Sequence, residues 1–163
     1  MTSLEIWEIL SYIVTVIGLP FAIVLFLYQE RRERENEEEE VFQLLSNNYQ
    51  DFLNVVLNNA ELKLFSTKAT QNLTEEQQER TRVIFEMLIS LFERAYLLAF
   101  EEKMTAIQKR RWYSWEDNMR EWCGREDFAR MLPSLLRGED PDFVKYITVL
   151  AEQESISSEA KGK

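Results

Sequence analysis

Residues 9–28 read ILSYIVTVIGLPFAIVLFLY, twenty positions without one charged side chain. A helix rises about 1.5 Å per residue, so about 20 such residues cross a hydrocarbon core of roughly 30 Å. A buried helix of a water-soluble domain is not normally apolar on every side. Trp7, Tyr12 and Tyr28 stand at or near the ends of the run, where amphipathic rings favour a membrane interface. A secretory signal peptide would start with basic residues and end at a small-residue cleavage site. This chain starts with Glu5 and Glu8, has no Lys or Arg there, and ends the run in bulky residues. The expectation is one transmembrane helix over residues 9–28, preceded by a short extracytoplasmic N-terminus of residues 1–8.

The flanks orient such a helix. Arg31, Arg32 and Arg34 follow it and no basic residue precedes it, so the positive-inside rule places the C-terminal side in the cytoplasm. The expected location is the plasma membrane, single-pass, with the N-terminus outside. Ser11, Thr15, Gly18 and Ala22 fall at i, i+4, i+7 and i+11, a stripe of small residues along which two helices in lipid can approach. Homo-oligomerisation through that face is therefore an expectation. Pro20, near mid-span, is expected to kink the helix because it removes one backbone bond. Nothing ionisable lies in the span, so an ion or proton relay has no basis.

Beyond the run the chain reads as all-α. With 4 Gly and 3 Pro in 163 residues, turns must be few and helices long. Residues 29–40, with RRERENEEEE, are expected as a charged stalk that continues the membrane helix. Residues 41–152 are expected as a small cytoplasmic helical bundle of about four to five helices. Phe42, Leu45, Tyr49, Phe52, Leu53 and Val56 recur at helical spacing, marking a first helix over 41–57. Residues 58–73 read as a loop with one extra turn, anchored by Leu62, Leu64 and Phe65. Thr74 with Gln77 makes a capping box, opening a helix to about residue 103 that is apolar on nearly every side and is expected to be central and fully buried. Glu86, Glu93 and Arg94 inside it argue against a second span. Thr105 caps a third helix reaching Cys123, with Ile107, Trp112, Trp115, Met119 and Trp122 as its buried stripe and Gly124 as its C′ residue. A short helix over 126–136 contains Pro133. Asp140 and Pro141 form an N-cap and N1 pair for a last helix through residue 152, with Phe143, Tyr146, Ile147 and Leu150 inward. Residues 153–163 have the composition of a disordered tail.

Composition excludes much chemistry. The chain has no histidine, so Ser-His-Asp and Cys-His nucleophile systems, His-ligated zinc, Glu-x-x-His di-iron sites and the Arg-x4-His motif of HEPN ribonucleases are all ruled out. Cys123 is the only cysteine and can form no internal disulfide; it reads as a small buried residue. The net charge of −10 repels phosphate backbones, so general nucleic-acid binding is not expected. No catalytic residue, cofactor or metal is expected.

Lys109, Arg110 and Arg111 beside Trp112, Tyr113 and Trp115 form a candidate anion-binding patch, since arginine beside aromatic rings can hold a phosphate while the rings stack. The alternative is solvated charge above core tryptophans. Glu93, midway along the most apolar helix, needs a partner if buried, and Arg110, Arg111 or Arg120 of the next helix is expected to supply it.

The FERAY stretch at residues 92–96, Trp112-x2-Trp115 with Trp122, and residues 125–128 resemble a loosely defined set of short bacterial single-pass membrane proteins of unknown function with a cytoplasmic, aromatic-rich helical domain. The resemblance implies the layout and a bacterial source, and transfers no active site. The expected function is a non-enzymatic, membrane-anchored helical module that binds an unknown protein partner or self-associates, as an adaptor, sensor or assembly factor. The alternative is an oligomeric, membrane-perturbing effector of anti-phage or stress defence, triggered through the cytoplasmic domain; the few polar residues of the span offer little to line a water-filled lumen. An enzyme working through carboxylates alone would need a paired site, which no spacing in the chain reveals.

Overall fold

A computed structural model describes residues 7, 11, 12, 16 and 18–161, with residues 158–161 described by their backbone alone. Among the described residues there are five α-helices and no strand: α1 (Leu19–Leu57), α2 (Glu75–Ala99), α3 (Ala106–Cys123), α4 (Glu126–Leu135) and α5 (Pro141–Lys161), with one 3-10 turn at Ala60–Leu62. The chain divides into two compact units, Met1–Glu40 and Val41–Lys163.

In the first unit, α1 carries Pro20 beside wider π-type geometry at Val16 and Gly18. The described positions before Leu19 are helical as well, α at Trp7, Ser11 and Tyr12 and π-type at Val16 and Gly18. No helix of the described residues is long and apolar enough to cross a membrane. The part of the apolar run that lies in α1, residues 19–28, makes about 15 Å of helix before Gln29 and the arginines. Residues 8–10, 13–15 and 17 lie outside the described residues. A transmembrane helix over 9–28 therefore has no support there. The helix runs on without Gly or Pro through Arg31, Arg32, Arg34 and the acidic residues 37–40, with one exposed i,i+4 pair between Arg31 and Glu35.

In the second unit the core is built from facing stripes. α1 contributes Leu45, Phe52 and Val56, α3 Trp112, Trp115, Met119 and Trp122, and α5 Phe143, Ile147 and Leu150. α2 is not buried all round. Ile84, Phe85, Leu88, Ile89, Leu91, Phe92 and Ala95 are buried, but Val83, Met87, Leu97 and Leu98 are exposed, because its neighbours cover one side only. It also ends at Ala99, four residues short of the expected end, where Phe100 turns extended and joins a ring cluster. Ile107, placed in the buried stripe of α3 by its spacing, is exposed.

The helix ends follow side-chain chemistry. Thr74 Oγ1 accepts from Gln77 N (3.2 Å) while Gln77 Oε1 accepts from Thr74 N (3.0 Å), and Thr105 with Gln108 repeats the arrangement on α3. Each box satisfies two amides that a helix start leaves unpaired. Gly124 ends α3 in right-handed geometry (φ −74°) rather than as a left-handed C′ residue; Gly138, at φ +94°, is the glycine that a turn requires, between α4 and α5. Asp140 Oδ1 accepts from the amides of Asp142 and Phe143 and so caps α5. The helix then continues to Lys161, through residues 153–161 that composition marks as tail. No Gly or Pro interrupts it before Gly162, and Glu154 is held by Arg120.

The connection between α1 and α2 is held by Arg125, a residue with no assigned role in the sequence reading. It is 2% exposed. Its Nη1 donates to the carbonyls of Lys63 (2.8 Å), Leu64 (3.2 Å) and Ser66 (2.7 Å), and Nη2 to Asp127 Oδ2 (2.9 Å). Nε lies 2.6 Å from Asp127 Oδ1. A planar fork of this kind can pin carbonyls and a carboxylate together. Leu62 and Leu64 are buried beneath it, while Phe65 stays largely exposed with its ring against Trp122 (5.6 Å).

Candidate functional site

The richest side-chain constellation lies where α2, α3 and α5 meet. Here Tyr96 and Phe100 stack (4.7 Å between centroids), and Phe100 also meets Trp112 (5.2 Å) and Tyr146 (5.1 Å). These rings contact one another directly, so they are a packed cluster rather than an open cage. A polar chain runs through it. Trp112 Nε1 donates to the Tyr146 hydroxyl (2.9 Å), which in turn donates to Glu116 Oε2. Arg120 donates through Nε and Nη2 to Glu116 Oε1 (3.0 and 2.7 Å), and through Nη1 to Glu154 Oε1 (3.2 Å).

The chain of bonds fixes protonation as well as position. Burial, followed by its bond to Glu116, pushes the Tyr146 phenol well above its ordinary range, and the Glu116 bond raises Arg120. Neither can exchange a proton near neutral pH, where general acid–base work is efficient. Over this cluster lies a cavity of about 840 Å³, with Leu97, Glu102, Asp142 and Val149 among its lining residues. A second cavity, of about 630 Å³, lies beside the Arg125–Asp127 pair, between residues 69–73, α2 and α4.

One carboxyl is poised near neutrality. Glu139, partly buried in the α4–α5 turn, is raised to about 7 by burial first, then by its hydrogen bond to Glu93 and the charge of that carboxylate. Glu93 Oε1 also accepts from Asp140 N (2.5 Å). The expected partner of Glu93, an arginine of α3, is thus corrected. Arg120 is taken by Glu116 and Glu154, and the guanidinium of Arg111 lies 4.8 Å from the Phe42 ring centroid. Glu93 instead fastens the α4–α5 turn to α2. Among the described residues no group of three or more acidic or Cys side chains is placed to hold a metal ion.

The other sequence-derived residues are scattered. Lys109 and Arg110 are exposed on α3, Arg111 is drawn to Phe42 of α1, and none of the three lines either cavity. Ser11 and Ala22 are exposed and Gly18 is partly buried, whereas Thr15 lies outside the described residues. Cys123 is buried, and that burial, with the Glu154 charge, pushes its thiol up to about 12, so it is no nucleophile at neutral pH. Trp112, Trp115 and Trp122 are core residues.

Arg125, Asp127 and the pairing of Glu93 with Glu139 were not anticipated. A weak signal existed for one of them: Asp127 follows the Gly124 helix break closely, where an acidic side chain suits a helix start. Comparison with family models, with characterised proteins and with solved structures gives no match.

Proposed function

We propose that the chain is a non-enzymatic, membrane-anchored helical module that keeps its folded unit at the inner face of a bacterial plasma membrane and binds a partner there. The observation that carries this reading is the exposure of residues 19–28. Leu19, Phe21 and all six residues from Ile23 to Tyr28 are between 45% and 66% exposed on one helix, with no polar side to turn to water. Burying a side chain of this size in an apolar medium is worth about 1.5–3 kcal/mol, so eight of them favour lipid by on the order of 10 kcal/mol. The apolar sequence of residues 9–18 would extend the segment to the length of a span. Arg31, Arg32 and Arg34 on its C-terminal side favour retention of that flank in the cytoplasm.

The non-enzymatic part is supported by the missing histidine, by a polar network and a thiol held away from neutral titration, and by the place of the near-neutral Glu139 carboxyl, which bonds Glu93 and lines neither cavity. Self-association through Ser11, Thr15, Gly18 and Ala22, and the membrane-perturbing role that would follow, has no specific observation in its favour. Alkaline carbonate extraction tests the anchor. The full chain should stay in the membrane pellet and a chain lacking residues 1–28 should be released. Release of the full chain would sink the reading.

A further inference from the structure

We infer that the cavity between α2, α3 and α5 is a docking groove for a basic, amphipathic segment of a partner protein, one that carries an apolar anchor flanked by lysine or arginine. The inference deepens the reading of the folded unit as a binding module and is independent of the membrane anchor. The floor is apolar and already rigid. Leu97 and Val149 are 57% and 50% exposed, and they stand over the ring cluster of Tyr96 and Phe100. Apolar side chains left in water beside a concavity are what an incoming anchor covers. The network from Trp112 through Tyr146 and Glu116 to Arg120 holds the floor in place before binding, so little order has to be imposed by the partner.

The charge selects the occupant. Glu102, Asp140 and Asp142 line the cavity with Glu116, against two cations, Arg120 and Lys145. Arg120 pairs with Glu116 and Lys145 with Asp142, and the charges within each pair offset one another, so the excess negative charge rests on Glu102 and on Asp140, which caps α5. The rim is therefore negative, on a chain whose net charge is −10. Such a rim steers a basic segment inward and repels an anionic ligand, a nucleic acid or a second copy of this acidic chain. About 840 Å³ accommodates a few large side chains, in the range of sites that seat a compact anchor.

The test uses the full-length protein in a mild nonionic detergent, which keeps it dispersed whether or not it anchors in a membrane, and a labelled synthetic peptide of leucine and lysine at helical spacing, with its leucine–glutamate twin as control. Fluorescence anisotropy should show saturable binding of the lysine peptide alone. Glu102→Lys with Asp142→Lys should weaken it by about tenfold or more, and Val149→Asp should do so separately. Asp51→Lys with Glu121→Lys, the same charge change at exposed sites that do not line the groove, should leave binding within about twofold of wild type; circular dichroism checks that each variant folds. No saturable binding, equal binding by all variants, as in partition into micelles, or equal loss in groove and control variants would each overturn the inference. None of these results depends on carbonate extraction, so the anchor and the groove can fail separately.

Discussion

Replacing Arg125 by methionine should be among the most damaging single changes in the second unit. The substitution keeps an unbranched apolar stem and removes the guanidinium. Asp127, with its side chain 9% exposed, would then be a buried carboxylate left with one neutral donor, the Phe128 amide. Breaking a buried ion pair from one side costs about 3–5 kcal/mol. Three carbonyls also lose the guanidinium as a donor. The Lys63 carbonyl keeps the Ser66 amide as a donor and Ser66 is an exposed residue, but Leu64 is buried and its oxygen adds about 1 kcal/mol. The expected loss is therefore about 4–6 kcal/mol, a large part of the stability of a domain this size. Urea unfolding of the full chain in detergent, followed by tryptophan fluorescence, measures it, since Trp112, Trp115 and Trp122 are all in the core. Asp127→Asn added to Arg125→Met should recover about 1–3 kcal/mol, because the orphaned charge is gone. Trypsin should cut faster at Lys63 and Lys68 in the single variant, as the connection loses its anchor. A loss below about 1 kcal/mol, or strict additivity in the double variant, would refute the assignment of Arg125 as the clamp of residues 58–73.

The Glu139 carboxyl holds its proton in the folded unit up to about 7, above its ordinary 4.5. Its stabilising contribution is thus complete below about pH 4.5 and is lost as pH rises through about 7. Glu139→Gln should flatten the fall in Tm between about pH 5 and pH 8 and raise Tm at the upper end; an unchanged slope would argue against the shared proton with Glu93. Tyr146→Phe should cost about 1–3 kcal/mol in thermal unfolding, since the Trp112 N–H and a Glu116 oxygen both lose a partner; a neutral result would mean that the polar chain is incidental. Cys123, buried and with its thiol near 12, should resist iodoacetamide at about pH 8 in the native protein and react promptly in urea. Fast native alkylation would contradict its placement at the α3 end of the core.

Local chemistry was legible where a few neighbouring residues decide the outcome. Thr74 with Gln77, and Asp140 with Pro141, announce helix starts that the hydrogen bonds bear out. Trp112, Trp115, Met119 and Trp122 at helical spacing announce a buried stripe. What periodicity cannot convey is how many neighbours a helix has, which is why α2 reads as enclosed although Val83, Met87, Leu97 and Leu98 face outward. Long-range polar pairs were illegible for the same reason. The carbonyl partners of Arg125 lie about sixty residues upstream in an irregular segment, and Glu93 meets Glu139 and the Asp140 amide across a turn that nothing near Glu93 encodes. The end of α5 shows composition misleading. Its serines and acids resemble a disordered tail, but an uninterrupted helix and the Arg120–Glu154 pair carry it on.

The most direct test of an anchored module is which side of the membrane each end occupies. With Cys123 replaced by alanine, Ser3→Cys and Glu152→Cys are placed singly in the full chain and expressed in bacterial cells. A membrane-impermeant maleimide should label Ser3→Cys in intact cells and Glu152→Cys only after permeabilisation. Protection of both until the cells are opened, with the protein recovered in the soluble fraction, would contradict the anchor and leave residues 19–28 to be covered by something other than lipid.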